Sequence, residues 1–508
     1  MTRYTPIMIM GCTSDAGKSF ICTALCRYFA NRGIHVAPFK AQNMSNNAAV
    51  TPDGLEIGRA QYVQAMAARV QPEARMQPVL LKPQGDTQSQ VIVLGRYHPT
   101  ITATPWLARK PLLWQVVRES LHSLLRDFEL VVIEGAGSPA EVNLRGSDIV
   151  NMQVALEAQA DVYLVADIDR GGAFAHLLGT YLCLEPEERA RIKGFVLNKF
   201  RGDPTLLGNG MDWLQARTGV PTLAVIPMIQ HMLPEEDNIA VITPSYDRQA
   251  EVRIALITYP YASNFDDFDP LRYEMGVALV PVQERAPLAE YDAIILPGSK
   301  NTAASLRYLL RSGLAAEITR AARQGTMIYG VCGGMQMLGH ALYDPHGIES
   351  GDMAGLGLLD VTTELMPHKV TCQRRVRWPA GGSEVSGYEI HHGVTVAGPR
   401  AQIHLDEGLG WQQDNVIGVY LHGIFANTAY RRWWLSSLGW RGTTQDWWAR
   451  LDAELDRIAE LVGAGWADSL LVHQRQDTLA SIGERCATGA APSAGQPTKK
   501  KPNSFEGG

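Results

Sequence analysis

A short apolar run, Ile7–Met10, leads directly into Gly11-Cys12-Thr13-Ser14-Asp15-Ala16-Gly17-Lys18-Ser19, and Phe20–Asn31 then reads as a helix. A strand, a glycine-bounded loop ending in Lys-Ser, and a helix together make a phosphate cradle. Glycine lets backbone N–H groups close on phosphate oxygens, and the helix N-terminus adds a favourable dipole. Lys18 is expected to reach the β- and γ-phosphates and the Ser19 hydroxyl to ligate magnesium, with Gly11, Thr13, Ser14, Asp15 and Gly17 shaping the loop. The spacing is longer than the strict motif: five residues, not four, separate Gly11 from Gly17.

Further apolar runs, Val36–Phe39, Leu130–Ile133, Val162–Ala166, Gly194–Leu197 and Leu223–Ile226, alternate with helical stretches such as Leu112–Arg126. Strands alternating with helices predict a parallel sheet covered on both faces. Ligands gather beyond the carboxyl ends of such strands. Glu134 stands at one end, as a candidate second magnesium ligand, and Asp167 stands at another. Asn198 and Lys199 follow a third and are expected near the nucleotide base. Val36–Phe39 runs into Lys40-Ala41-Gln42-Asn43-Met44-Ser45-Asn46-Asn47. There Lys40, Gln42, Asn43 and Asn46 suit a substrate rich in carboxylates and amides.

A polar, Pro/Asp-rich stretch around Pro234–Glu251 separates this series from a second one: Arg253–Ile257, Ala278–Val282, Ala293–Leu296, Met327–Tyr329 and Val416–Leu421. Met327–Tyr329 leads into Gly330-Val331-Cys332-Gly333-Gly334. A cysteine on a sharp strand-to-helix turn between glycines is a nucleophile elbow, with a lowered thiol pKa and an oxyanion hole nearby. Val416–Leu421 ends at His422, the candidate general base. Gly298, Ser299 and Gly333 are expected to contribute to the oxyanion site around the elbow.

A chain of 508 residues is too long for one ordinary core. A formal net charge of -6 offers no basic footprint for nucleic acid. The seven cysteines are scattered without a CxxC pair, so neither zinc nor a disulfide framework is expected, and a reducing cytoplasm fits. Pro6–Met10 is too short for a signal-peptide core, and no stretch reaches membrane-spanning length.

Taken together, Gly330-Val-Cys-Gly-Gly-Met-Gln336, Pro297-Gly-Ser-Lys-Asn-Thr302 and Val419-Tyr-Leu-His-Gly-Ile-Phe425 resemble the glutaminase domain of the cobyric acid synthase and cobyrinate diamide synthase group. The N-terminal half resembles that group's dethiobiotin-synthetase-like ATP domain. Lys40–Asn47, Glu134–Glu141 and Ser386–Gly393 are similar to the cobyric acid synthase branch. The resemblance implies an α/β protein with an N-terminal P-loop parallel-sheet domain and a flavodoxin-like, class I glutaminase-type domain. We expect an amidoligase domain over 1–233, a linker over 234–250, a glutamine amidotransferase domain over 251–435, a helical segment over 436–486 with a helix at Trp447–Val462, and a disordered tail over 487–508.

The resemblance further implies that glutamine is hydrolysed at Cys332 and that ammonia passes to the first domain. There ATP, with Mg2+, activates a carboxylate as an acyl phosphate. The corrinoid substrate would be adenosylcobyrinic acid a,c-diamide, amidated at its b, d, e and g side chains in cobalamin biosynthesis, with no nucleic-acid or membrane partner. Ordinary class I glutaminases place a glutamate two residues after the histidine; here Ile424 stands there, so a dyad is implied and the group orienting His422 is left open. Two alternatives compete. One is a cobyrinate a,c-diamide synthase, for which aspartates are expected in the run after Lys40. The other is a P-loop regulatory ATPase with a degenerate glutaminase-like domain.

Overall fold

The computed structural model describes residues 4–83, 89–234, 250–349 and 351–470. Most of the expected linker and all of the expected tail lie outside the described residues. The first sheet contains β1 (Ile7–Gly11), β2 (Val36–Phe39), β3 (Leu130–Glu134), β4 (Asp161–Asp167), β5 (Ile192–Phe200) and β6 (Thr222–Pro227). They run parallel in the order β6-β5-β4-β1-β3-β2. β1 to β4 are buried along their whole length, as strands covered on both faces must be, which is why they read as unbroken apolar runs. Helix α1 (Lys18–Asn31) follows β1, and α2 (Arg59–Ala67) follows the polar run after β2.

The second sheet orders β7 (Val252–Ile257), β8 (Val277–Val282), β9 (Ala293–Leu296), β10 (Met327–Val331), β11 (Gln402–Leu405), β12 (Gly410–Gln413) and β13 (Val416–Val419) as β8-β7-β9-β10-β13-β12-β11. It is parallel from β8 to β13, and β12 and β11 close it with antiparallel pairs. Cys332 and His422 lie just beyond the ends of adjacent strands β10 and β13.

Three features depart from the sequence reading. Gln42–Met44, within the amide-rich run after Lys40 and not among the expected strands, pairs in parallel with Val79–Leu81. Val361–Trp378 and Ser383–Ala397 form a long antiparallel hairpin. It reaches from the second half onto the first: Gln373 Nε2 donates to the Val50 carbonyl at 2.9 Å and the Tyr388 hydroxyl to the Ala48 carbonyl at 3.1 Å. Finally, helix α3 (Trp447–Gly463) returns to the first half of the chain and shares a core with α1. Its Leu451, Leu455, Ile458 and Val462 recur at three- and four-residue spacing, which puts them on one face against Ile21 and Leu25. Buried Arg27 on α1 pairs with Asp452, and its Nη1 lies 3.6 Å from Asp456. No helix among the described residues is long and apolar enough to cross a membrane.

Candidate functional site

The loop after β1 closes on itself through Gly17, whose φ of 95° lies in the left-handed region. A Cβ at that position would also stand 2.1 Å from the Asn198 amide nitrogen, so glycine is required twice over. Lys18 Nζ donates to the carbonyls of Thr13 at 3.4 Å and Gly137 at 3.3 Å. The Ser19 hydroxyl donates to Glu134 Oε1 at 2.8 Å, and Lys40 Nζ reaches the same oxygen at 2.8 Å. Glu134 Oε2 accepts from Gln64 Nε2 at 2.5 Å and Gln61 Nε2 at 3.4 Å. A buried carboxylate is tolerable only with such compensation, and one cation with three donors supplies it.

Ser19 and Glu134 fit magnesium. It prefers oxygen ligands and takes few of them from protein, leaving room for phosphate and water. A cavity of about 610 Å³ opens beside them, within the size range of small-molecule sites. Ser14, Asp15, Gly17, Lys18, Ser19 and Asn198 line it, with Lys40, Asn43 and Asp167. Gly11 shapes the loop by close approach, since a Cβ there would lie 2.6 Å from the Thr13 carbonyl. Asn198 and Lys199 also brace the loop: Asn198 donates to the Ala16 carbonyl at 2.9 Å, and Lys199 to the Asp15 carbonyl at 2.6 Å and Asp167 at 3.0 Å.

Gln42 and Asn46 are not brought to this cavity. Each buries a side-chain carbonyl oxygen with no hydrogen-bond partner among the described residues. Sequence reasoning missed Gln61 and Gln64; their three-residue spacing on α2 is what sets both amides on one carboxylate. It also missed the far wall of the cavity, where His231 stacks on Phe20 at 4.9 Å.

In the second half, Cys332 adopts φ 50°, ψ -110°, a strained conformation for a non-glycine residue and one that costs about 1–3 kcal/mol. The turn is sharp because its neighbours lack side chains: a Cβ on Gly334 would lie 2.0 Å from the Leu296 carbonyl. The structure gathers Gly298, Ser299 and Gly333 around the elbow. A Cβ on Gly333 would stand 2.8 Å from the Ser299 nitrogen, and one on Gly298 would stand 3.2 Å from His422 Cε1.

His422 corrects the expected dyad. Its Nδ1 lies 2.6 Å from Asp267 Oδ2, and Asp267 Oδ1 accepts from the Gly423 N–H at 2.9 Å. Tyr388 stacks on the imidazole, with centroids 5.1 Å apart. Burial opposes the charge on His422, but Asp267 and the Cys332 sulfur raise its pKa to about 10. A third group therefore orients the histidine, supplied from a turn 155 residues earlier in the chain.

The same pocket is lined by Lys300, Glu349 and Gln336 from the second half and Lys82 from the first. Burial pushes the Glu349 carboxyl up to about 7, against hydrogen bonds from Ala303 and Thr302. Burial also works to raise the Glu56 carboxyl, yet Lys369 and Lys82 hold it well below the usual range. Because Lys369 belongs to the hairpin, that ionic contact joins the two halves beside the Cys332 pocket.

Residues 7–238 match the family described as CobQ/CobB/MinD/ParA nucleotide binding domain, and residues 253–430 the CobB/CobQ-like glutamine amidotransferase domain. A cobyric acid synthase of Deinococcus radiodurans is 53% identical over 480 residues, covering 90% of this chain and 98% of that protein. The cobyric acid synthase of Polaromonas sp. strain JS666 is 50% identical over 466 residues, covering 84% of this chain and 92% of its own. That of Methylibium petroleiphilum is 48% identical over 455 residues, covering 84% and 90%.

Proposed function

Since the chain belongs to the cobyric acid synthase family, we propose that its two sites divide one reaction, with Cys332 releasing ammonia from glutamine and the loop around Lys18 activating a corrinoid carboxylate. The enzyme is a glutamine-hydrolysing carbon–nitrogen ligase that uses ATP in cobalamin biosynthesis. One observation carries the division of labour: an aligned Cys332, His422 and Asp267 and a phosphate loop facing Glu134 occur in the same chain.

At the glutaminase site the Cys332 thiolate attacks the glutamine carbonyl carbon. Backbone N–H groups near Ser299 and Gly333 hold the oxyanion, and the His422 imidazolium gives its proton to the departing ammonia. Water then opens the thioester to glutamate. In the first half a corrinoid carboxylate oxygen attacks the γ-phosphorus of ATP, and the bond to ADP breaks. Ammonia displaces phosphate from the acyl phosphate and leaves a primary amide. Lys18 neutralises charge on the transferring group. Ser19 and Glu134 would hold magnesium, which supplies further charge neutralisation at the phosphates.

The substrate in this reading is adenosylcobyrinic acid a,c-diamide, amidated at b, d, e and g, and the reaction takes place in the cytoplasm without a nucleic-acid partner. The relatives' names favour this over the a,c-diamide synthase reading, and so does the amide-rich run after Lys40. The ordered histidine opposes a degenerate glutaminase. With one phosphate loop and one elbow, several carboxylates must share one site, so the corrin reorients between steps. The Asn43 amide, which lines the cavity, can both donate and accept, and so can pair with a carboxylate before reaction and an amide after it. With substrate in excess, mass spectrometry of an early time course should show partly amidated intermediates free in solution. A time course holding only the starting diamide and the finished product means processive amidation and refutes this part of the reading.

Asp267→Asn should lower glutamine hydrolysis by roughly a hundredfold or more, because the imidazole loses both its orientation and its charge partner. The sign of the pH effect follows. His422 is held protonated up to about 10, so the native rate should fall only on the far alkaline side. Without the Asp267 charge that falling limb should move toward neutral pH. A pH–rate profile with the limb unmoved removes Asp267 from the mechanism.

A further inference from the structure

The two sites are joined by contacts that run from Glu134 to His422. Gln61 and Gln64 hold Glu134 from one side of α2, and Arg59, at the start of the same helix, lies 2.8 Å from Asp266 Oδ2 in a buried ion pair. A second line runs through the polar strip that begins at Lys40. Lys40 holds the other oxygen of Glu134, and Asn47 at the far end accepts from the Asn264 N–H at 2.8 Å. The lines are themselves tied, since the Arg59 N–H donates to the Asn47 carbonyl at 3.1 Å.

Both lines end on Asn264–Asp267. Asn264 is in the left-handed region, with φ 58° and ψ 45°, and its side chain donates to the Ala48 carbonyl at 2.7 Å and to the Tyr388 hydroxyl at 2.7 Å. Asn tolerates this conformation better than most residues, but the contacts from the first half help to hold it there. Asp267 closes the turn, its N–H donating to the Asn264 carbonyl at 3.1 Å, and its carboxylate orients His422. Tyr388, the ring stacked on His422, is anchored to the same Ala48 carbonyl.

We propose that Asn264–Asp267 is the coupling segment of the enzyme, and that Arg59 and Asn47 are positioning residues through which occupancy of the Glu134 site sets the alignment of His422. The inference rests on the amidation reading above. A ligand drawn to Glu134 competes with Lys40, Gln61 and Gln64 for its two oxygens. A small displacement of α2 or of the Lys40 strip then reaches Asp266 and Asn264 directly, because tightly packed contacts switch rather than stretch. Such a link would keep glutamine from being hydrolysed when no carboxylate is being activated.

The test compares the full-length protein with Arg59→Met and Asn47→Ala. Peptide-resolved mass spectrometry gives the rate of Cys332 alkylation by iodoacetamide, with and without ATP and magnesium. The same samples give glutamate formed per amide, and amide formed from ammonium. In the parent, ATP should change the Cys332 alkylation rate by roughly fivefold or more. In both variants that response should shrink to about twofold or less, and glutamate formed per amide should rise, while ammonium-dependent amidation stays within about twofold of the parent. If Arg59→Met fails to fold, Asn47→Ala decides alone. A parent whose alkylation rate ignores ATP, or folded variants that keep the full response, overturns the coupling segment while leaving the amidation reading intact. A parent that forms no amide from ATP and ammonium overturns that reading and the inference with it.

Discussion

Replacing Cys332 with alanine should abolish glutamine-dependent amidation and leave ammonia-dependent amidation close to the native rate. Only the thiolate forms the thioester, and removing the nucleophile of an aligned catalytic group costs roughly 10⁴-fold or more. The change removes one buried sulfur and leaves backbone demands alike, so the fold should lose no more than about 1–2 kcal/mol. High ammonium should bypass the elbow, because the proposed division of labour puts acyl phosphate formation in the other half of the molecule. The measurement is amide formed from glutamine and, separately, from ammonium. A variant that still uses glutamine at the native rate takes Cys332 out of the reaction.

Lys18→Ala should fail with both nitrogen sources. Phosphoryl transfer is catalysed by positioning and charge neutralisation, and losing the loop lysine should cost roughly 10²–10³-fold. Glu134→Ala should fail in the same way, with an added penalty to the fold. It leaves Lys40, 4% exposed, without its carboxylate. Breaking a buried pair from one side costs about 3–5 kcal/mol, so Glu134→Gln is the gentler variant. Unchanged ammonium-dependent synthesis in Lys18→Ala and Glu134→Gln would mean that ATP is used elsewhere.

What the sequence disclosed follows from how local each feature is. β2 and β9 were legible to the residue, because parallel strands buried on both faces are unbroken apolar runs ending at chemistry-bearing residues. The loop before Lys18 and the elbow at Cys332 were legible because glycine spacing is itself the geometry. Asp267 was not legible. It is one of two adjacent aspartates in a short turn 155 residues before His422, and only the tertiary fold brings the two side chains together. Gln61 and Gln64 sit in a helix with no flag of their own until Glu134 is seen between them. The run after Lys40 was read by composition as a surface for substrate. The structure instead engages Lys40 with Glu134 and Asn47 with Asn264, and leaves Gln42 and Asn46 off the cavity lining. The docking of α3 on α1 was invisible for a related reason. An amphipathic helix announces that it has an apolar face, but not which core the face joins.

The central claim is that a single chain draws nitrogen from glutamine and installs it on a corrinoid carboxylate at the expense of ATP. The most direct measurement supplies amide-¹⁵N glutamine as the sole nitrogen source, with adenosylcobyrinic acid a,c-diamide, magnesium and the native protein, and weighs the corrinoid with and without ATP. The account predicts ¹⁵N in newly formed corrinoid amides only when ATP is present, with no label acquired in the Cys332→Ala protein. Corrinoid that remains unamidated with ATP and glutamine, or that acquires label equally without ATP, would contradict it.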